Sequence, residues 1–141
     1  MGRVLIIEAD GGSRGNPGPA GSGSIVIDGE NGQVLAEVGR YLGVVSNNVA
    51  EYTGLIEGIR RALAIDPDAE LHIRLDSKLV VEQMCGRWKI KHPDMAELAA
   101  VARELLTGTP VRFEWIPRES NKRADAAANK AMDLRTDFDS Q

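Results

Sequence analysis

The sequence has 141 residues, a hydrophobic fraction of 43%, a charged fraction of 27% and a formal net charge of −4. These values are typical of a soluble globular protein with one domain, and the negative charge excludes nucleic-acid binding through a strong overall positive field. No apolar run approaches membrane-spanning length and no signal peptide is apparent, which predicts a cytoplasmic location without membrane association, and the lone Cys85 excludes an intrachain disulfide.

The first predicted strand is the continuous apolar run at residues 4–7, which is typical of a strand buried on both faces in the middle of a sheet. It leads to Asp10 and then to a glycine-rich loop, so we expect this carboxylate where the backbone leaves the hydrophobic layer. Asp10 is either a residue that caps its own turn or a metal-binding or catalytic carboxylate. Residues 21–28 and 33–42 then read as a hairpin, which makes an antiparallel meander with the first strand.

The spacing of apolar residues changes to that of a helix from Tyr52 to Leu63. Ser46, Asn47 and Asn48 precede this helix as capping candidates. Glu51 falls in the predicted first turn, where the helix dipole alone explains a negative charge.

The rest of the chain reads as a strand, two helices, a strand and a helix, over residues 70–75, 77–84, 93–106, 111–116 and 124–132. Asp76 follows the first of these elements, and Asp125 stands at the start of the last. The order predicts an α/β fold with a mixed sheet flanked by helices. We expect one domain over residues 1–134 and a flexible tail over residues 135–141, because the tail has no periodicity.

The most basic stretch of the chain, residues 87–92, contains Trp88. It fits two interpretations equally well. One is a solvated loop with a half-buried tryptophan, and the other is a nucleic-acid contact surface that neutralises phosphates and stacks an aromatic ring.

Four carboxylates occupy comparable places: Asp10 and Asp76 at strand ends, Glu51 and Asp125 at helix starts. Such strand ends and helix starts share one edge of a sheet, where ligands usually bind. Four converging acids would repel one another unless divalent cations lay between them, and carboxylate oxygens suit magnesium or manganese. Two such ions activate a water molecule and stabilise the leaving oxygen of a phosphodiester. Zinc is not expected, because the chain has no histidine cluster or cysteine pair.

Four segments carry a family resemblance, in order: DGGS with GNPGP at residues 10–19, SNNVAE at 46–51, DS at 76–77, and residues 121–125. On these motifs the chain resembles the type 1 ribonucleases H from residue 4 to about residue 132. The resemblance implies a ribonuclease H-like fold, with a five-stranded mixed sheet of three antiparallel strands followed by two parallel ones.

The resemblance further implies an endonuclease that hydrolyses the RNA strand of RNA–DNA hybrids and leaves 3′-hydroxyl and 5′-phosphate ends. It implies two Mg²⁺ ions, with Mn²⁺ as a possible substitute, held by Asp10, Glu51, Asp76 and Asp125. The substrate contacts that it implies are Gly11, Ser13, Asn16, Ser46, Asn47, Asn48, Lys78, Trp88 and Asn121. The three asparagines at 16, 47 and 48 match groups that reach into the minor groove, where A-form helices display 2′-hydroxyls to short amides. Ser46 resembles a contact to a DNA-strand phosphate, and Trp88 resembles an aromatic that lies against DNA sugars.

The chain departs from the family pattern in three places. Many members carry a histidine in the loop before the last catalytic aspartate, whereas this chain has Arg118 there. We expect Arg118 to stabilise charge near the scissile bond, since a guanidinium stays protonated and cannot act as a base. Lys78 stands where glutamine is common. The basic protrusion of some members is reduced to residues 87–92, which predicts weaker and more salt-sensitive substrate binding.

Two other functions stay open. One is a non-catalytic module that binds RNA or hybrid on the same fold, against which the complete set of four acids argues. The other is a related metal-dependent DNA nuclease, against which the asparagine-rich motif argues. We expect the protein to be a monomer.

Overall fold

A six-stranded mixed sheet forms the centre of the computed structural model, which describes residues 3–140. The strands are β1 (Val4–Ser13), β2 (Gly18–Asp28), β3 (Val34–Val45), β4 (Glu70–Leu75), β5 (Val111–Trp115) and β6 (Phe138–Ser140). Their order across the sheet is β5-β4-β1-β2-β3-β6. Strands β1, β4 and β5 pair in parallel, and the other neighbours pair antiparallel. The predicted meander, the two parallel strands and the central position of the first strand are therefore confirmed.

Helices cover both faces of the sheet. They are α1 (Asn47–Ile65), α2 (Lys78–Met84), α3 (Pro93–Leu105) and α4 (Lys122–Leu134), with a 3-10 turn at Arg118–Ser120 before the last. Helix α1 packs on β1 and against α3 over the larger hydrophobic core, and α4 packs on β2 and β3 over a smaller one. Within residues 3–140, no helix combines the length and the apolar character that crossing a membrane requires.

Glycines let helix α1 approach strand β1 closely. A Cβ atom at Gly11 would collide with the backbone of Ala50 and Glu51, and one at Gly54 would lie 2.7 Å from the carbonyl oxygen of Asp10. Because real Cβ atoms do not fit at such distances, only glycine permits this backbone contact. The close approach places Glu51 beside Asp10.

A glycine likewise lets helix α4 approach the opposite face of the sheet closely. A Cβ atom at Gly23 of β2 would lie 2.5 Å from the backbone nitrogen of Ala128 and 2.8 Å from the side chain of Ala127. Four of the five buried residues of α4 are alanines, so the helix backbone lies close to the strand. This contact sets the position of Asp125 in the first turn of α4.

Three sequence predictions about the elements are wrong. Asp10 does not end its strand, because β1 continues to Ser13 and pairs Asp10 with Gly23. Helix α1 begins at Asn47 with Ser46 as its N-cap, since the Val49 amide donates to Ser46 Oγ at 3.2 Å. Glu51 therefore lies in the second turn, beyond the main reach of the helix dipole.

The third correction is the number of strands, which is six instead of five. The extra strand β6 lies in the tail that the sequence predicts to be flexible. The Phe138 ring packs over Gly39 of β3, Arg40 Nη1 donates to Asp139 Oδ1 at 2.9 Å, and the Tyr41 amide donates to Asp137 Oδ1 at 2.8 Å. These partners are about 100 positions away in the chain, so local periodicity could not reveal them. Residues 1, 2 and 141 of the predicted domain and tail lie outside the described residues.

Candidate active site

Three carboxylates from separate elements meet at one point. Asp10 comes from β1, Glu51 from α1, and Asp76 directly follows β4. One carboxylate oxygen from each lies within 4.8 Å of the others. The sequence prediction that these acids converge is confirmed for this trio.

Asp10 is the most enclosed of the aspartates in the site, with 7% of its surface exposed. Its Oδ1 atom accepts a hydrogen bond from the Gly11 amide at 2.9 Å. Burial, followed by the nearby charges of Asp76 and Asp125, raises the pKa of Asp10 from 3.8 to about 7. Near neutral pH, this carboxyl group therefore exists in both its protonated and its charged form.

The pKa of Glu51, which lies beside Asp10, is also raised. Burial and then the charges of Asp10 and Asp76 raise the pKa of the Glu51 carboxyl well above its usual range. Glu51 and Asp10 lie so close that the protonation of one carboxyl affects the protonation of the other.

Asp76 is held by a buried amide. Asn121 Nδ2 donates to Asp76 Oδ2 at 3.2 Å and to the carbonyl oxygen of Ala9 at 2.9 Å. The indole nitrogen of Trp115 donates to the backbone oxygen of Asp76 at 3.1 Å. Asp76 is thus fixed through both its side chain and its backbone.

Asp125 lies at the edge of the cluster, on the first turn of α4. Its carboxylate acts on Asp10, whose pKa it helps to raise, but it is not one of the three that lie within 4.8 Å. The predicted fourth acid therefore lines the site without belonging to its tight centre.

The acids fit a hard divalent cation. In the described part of the chain, no lysine or arginine forms an ion pair with Asp10, Glu51, Asp76 or Asp125. Their negative charge is therefore not compensated by the protein, and the charges of neighbouring acids add to burial in raising the pKa of Asp10 and Glu51. Carboxylate oxygens without histidine or cysteine partners are the donors that Mg²⁺ and Mn²⁺ prefer.

The acids line a polar cleft of about 410 Å³. The predicted site residues that this cleft brings together are Asp10, Gly11, Ser13, Asn47, Asn48, Glu51, Asp76, Arg118 and Asp125. They come from both ends of the chain, so the cleft exists only in the folded protein.

A polar network joins the glycine-rich hairpin to helix α1 at the rim of the cleft. The backbone amide and hydroxyl of Ser13 both donate to Asn47 Oδ1, at 2.8 and 2.9 Å. The Asn47 amide donates to Asn16 Oδ1 at 3.2 Å. Ser46, which caps the helix, lies next to this network. These four predicted contact residues are thus held together and oriented.

Three predicted substrate-contact residues lie elsewhere. Lys78 lies 3.7 Å from Glu82 and 6.0 Å from the centre of the Trp115 ring, and it does not line the cleft. Trp88 is 46% exposed on the loop after α2. Asn121 is 0% exposed, so the prediction that it contacts substrate is wrong, and the residue instead supports Asp76.

Among the residues that sequence reasoning missed are Arg14 and Asn129, which line the cleft, and Trp115, which supports it. Arg14 lies in the hairpin turn, and its guanidinium donates to Asp133 Oδ1 at 2.6 Å and to Asn129 Oδ1 at 3.4 Å. A basic residue inside a glycine-rich loop was the available signal for Arg14. Nothing local distinguishes Asn129 or the supporting Trp115.

Comparisons with known proteins agree with this geometry. A family model described as reverse transcriptase-like matches residues 8–131. The bifunctional protein Rv2228c of Mycobacterium tuberculosis is 51% identical over 130 residues, which are 92% of this chain and 35% of that protein. Ribonuclease HI of Halobacterium salinarum is 43% identical over 128 residues, 88% of this chain and 62% of that protein. The chain thus spans about a third of the mycobacterial relative and less than two thirds of the archaeal one.

Solved structures match over nearly the whole chain. The N-terminal RNase H domain of Rv2228c from Mycobacterium tuberculosis, solved as a fusion with maltose binding protein, has 50% identity and a TM-score of 0.89, covering 94% of this chain and 95% of that one. LC11-RNase H1 in complex with RNA/DNA hybrid has 39% identity and a TM-score of 0.87, covering 93% and 98%. With the predicted motifs gathered around one acidic cleft, these matches show that the chain belongs to the type 1 ribonuclease H family.

Proposed function

We propose that the chain is an endonuclease that hydrolyses the RNA strand of RNA–DNA hybrids and leaves 3′-hydroxyl and 5′-phosphate ends. The observation that carries this proposal is the trio of Asp10, Glu51 and Asp76, whose oxygens lie within 4.8 Å of one another without a basic partner among residues 3–140. The similarity to LC11-RNase H1, a structure of a complex with RNA/DNA hybrid, supports the substrate class.

The cofactor in this proposal is a pair of Mg²⁺ ions, for which Mn²⁺ substitutes, held by Asp10, Glu51, Asp76 and Asp125. When bound, such ions supply an activated water and charge stabilisation for the attacking and leaving oxygens of a phosphodiester. The protein contributes a rigid set of ligands, because glycine contacts fix α1 against β1 and α4 against β2, and Asn121 holds Asp76.

Protons compete with a cation for Asp10 and Glu51, two of the four ligands. Burial and the neighbouring acids raise the pKa of the Asp10 carboxyl to about 7, and the pKa of Glu51 is also raised. Metal binding therefore releases protons, and metal affinity rises with pH through this range.

The polar rim of the cleft is suited to the minor groove of a hybrid. Ser13, Asn16, Asn47 and Asn48 offer hydroxyl and amide groups in the positions fixed by the hairpin and the start of α1. Such short groups contact 2′-hydroxyls and base edges without selecting a base sequence. This arrangement directs the acids to the strand that carries the 2′-hydroxyls.

The other predicted contacts complete the proposal. Ser46, at the N-terminus of α1, contacts a phosphate of the DNA strand, the exposed Trp88 lies against its sugars, and the exposed Lys78 is a further substrate contact. Arg118, which lines the cleft, stabilises the negative charge that develops on the phosphate during cleavage. A monomeric state and a cytoplasmic location belong to the same proposal.

One experiment separates this function from its alternatives. Labelled RNA–DNA hybrid, RNA duplex and DNA duplex are incubated with the protein in Mg²⁺, Mn²⁺ or EDTA, and the ends of the products are analysed. We expect cleavage of the hybrid RNA strand in either metal, none in EDTA, and 5′-phosphate on the products. Hybrid binding without cleavage would indicate a binding module, and cleavage of the DNA duplex would indicate a DNA nuclease.

A pair of variants tests whether the acids are responsible. Asp10→Asn removes a carboxylate from the cluster, whereas Asp28→Asn removes one at the far end of β2, where it pairs with Arg3 at 3.1 Å. Both exchanges have the same size and change of charge. We expect only the first to abolish cleavage, and equal activities would refute the assigned site.

A further inference from the structure

A second charged cluster lies directly beside the acids and consists of Glu8, Arg74 and Arg123. Each member precedes one of the site acids by two positions, on β1, β4 and α4 respectively. Glu8 and Arg74 are also register partners across the parallel pair β1 and β4. On a strand, residues two positions apart face the same side, so Glu8 and Asp10 share one face of the sheet.

Glu8 is the centre of this cluster. Arg123 donates two hydrogen bonds to the Glu8 carboxylate, from Nε to Oε1 and from Nη2 to Oε2, both at 3.2 Å. Arg74 Nη1 lies 3.5 Å from Glu8 Oε2. The Glu8 side chain is only 3% exposed, while both arginines reach solvent. A single buried carboxylate thus ties together the three elements that carry Asp10 and two of its partners.

Stability alone is a poor explanation for this arrangement. Burying a carboxylate removes it from water, and well-packed apolar side chains often stabilise a fold equally well or better. The two-point contact of a guanidinium with a carboxylate does something that apolar packing does not, because it fixes both the distance and the angle between the groups.

Of the three aspartates in the site, Asp125 has the fewest direct contacts to hold it within residues 3–140. Asp10 accepts a hydrogen bond from the Gly11 amide and Asp76 accepts one from Asn121, but within residues 3–140 no N–H group donates to the Asp125 carboxylate. Its position follows from where helix α4 begins against the sheet.

Three contacts hold the start of α4. The Asn121 side chain donates a hydrogen bond to the backbone of β1 at 2.9 Å, and Ala124 packs against Gly23 of β2. Arg123 donates two hydrogen bonds to the Glu8 side chain of β1. The first two control how closely the helix approaches the sheet. The third adds a directional contact from the residue that lies two positions before Asp125.

We propose that Glu8 is a positioning residue, which through Arg123 sets the place of Asp125 relative to the other acids and so determines the affinity of the site for divalent cations. This inference rests on the proposed function for the identity of the cation. Outer groups that orient metal ligands typically contribute about 10-fold or more to metal affinity, and we expect an effect of that order here.

The test compares Glu8→Gln, Arg123→Lys and the double variant E8M/R123M with the wild-type protein. Magnesium is titrated against each protein, and the concentration that gives half of the maximal rise in unfolding temperature is measured without any substrate. The magnesium concentration for half-maximal cleavage of hybrid is measured in parallel. We expect all three variants to need about 10-fold more magnesium in both assays.

The double variant separates positioning from stability, because its two apolar side chains replace the Glu8–Arg123 pair and keep the metal-free fold close to wild-type stability. Arg74, which is 33% exposed, keeps Glu114 as a partner at 3.5 Å. A matched control is Glu57→Gln, which breaks the partly buried pair of Arg40 and Glu57, 3.1 Å apart and remote from the acids. Glu57→Gln should lower the unfolding temperature and leave the magnesium requirement unchanged.

Two results would overturn the proposal: a wild-type magnesium requirement in E8M/R123M, or an equal increase in Glu57→Gln. If the double variant does not fold, Arg123→Lys decides, since it keeps the charge and loses the two-point contact. A wild-type protein that binds magnesium without cleaving hybrid would refute the proposed function alone, because the unfolding assay would still report the role of Glu8.

Discussion

Replacing Asp10 by asparagine removes one negative charge from the most crowded part of the site and changes almost nothing in shape. The asparagine Oδ1 atom can keep the hydrogen bond from the Gly11 amide, which is 2.9 Å long in the structure. Its Nδ2 group then faces Glu51 and Asp76 as a donor, where the wild-type protein places a third carboxylate. We therefore expect Asp10→Asn to make the metal-free protein more stable at neutral pH, while cleavage falls by a factor of about 1,000 or more.

The raised pKa gives the size of this effect. The Asp10 carboxyl has a pKa of about 7 in the folded protein and 3.8 as its ordinary value. At about 1.4 kcal/mol for each pH unit between these values, the charge on Asp10 costs the folded state at most about 4 kcal/mol at pH 7. Glu51 shares protons with Asp10, so part of this cost belongs to the pair and remains after the substitution. A gain of about 1 to 4 kcal/mol corresponds to an increase of about 3 to 12 °C in unfolding temperature for a domain of this size.

The sign of the pH dependence follows from the same values. A carboxyl with a raised pKa binds more protons in the folded than in the unfolded state between pH 3.8 and about 7. The stability of the metal-free wild-type protein should therefore fall as the pH rises through this window. The substitution should reduce that slope, so that the advantage of Asp10→Asn is largest at pH 7 and nearly vanishes near pH 4.

Urea or thermal unfolding in EDTA, followed by circular dichroism at several pH values, measures this difference. Asp28→Asn is the matched control, because hydrogen bonds from the Glu30 amide and Arg3 lower the pKa of Asp28 and its removal should lower stability. Added magnesium should stabilise the wild-type protein more than Asp10→Asn. A large fall in the unfolding temperature of Asp10→Asn at pH 7 in EDTA would show that Asp10 is a structural acid, and the reasoning would fail.

Three further predictions follow from other parts of the structure. Gly11→Ala should lower the free energy of unfolding by about 1–3 kcal/mol or more, because its Cβ atom collides with the backbone of α1, whereas Gly12→Ala meets nothing within 4 Å and should be close to neutral in the same urea titration. Asn121→Ala should cost about 1–3 kcal/mol and raise the magnesium requirement, because two buried hydrogen bonds are lost and Asp76 is released; an unchanged requirement would exclude this support. Affinity for hybrid should fall with salt, because the basic residues at 87–92 bind phosphates and release counterions, and a dissociation constant that is insensitive to salt in filter binding would contradict this.

Much of the fold could be predicted because the signals lie within single elements. The alternation in β4 and the apolar spacing in α1 place these elements within a few residues of their observed bounds. The errors fall where a distant partner decides the outcome. β1 continues past Asp10 because its glycines pair with β2 and admit the backbone of α1, and β6 forms because β3 offers Gly39 and Arg40 to residues about 100 positions later.

The same distinction between local signals and distant partners applies to the residues of the candidate site. The sequence by itself determined which acids are available, because each stands beside a recognisable strand or helix boundary in a motif of fixed order. Only the tertiary structure decided that Asn121 is buried behind Asp76. It also decided that Glu8, a charged residue within an apolar strand, accepts hydrogen bonds from Arg123. The physical reason is that periodicity is a property of neighbouring residues, whereas burial and ion pairing depend on which elements pack together and how closely their backbones approach.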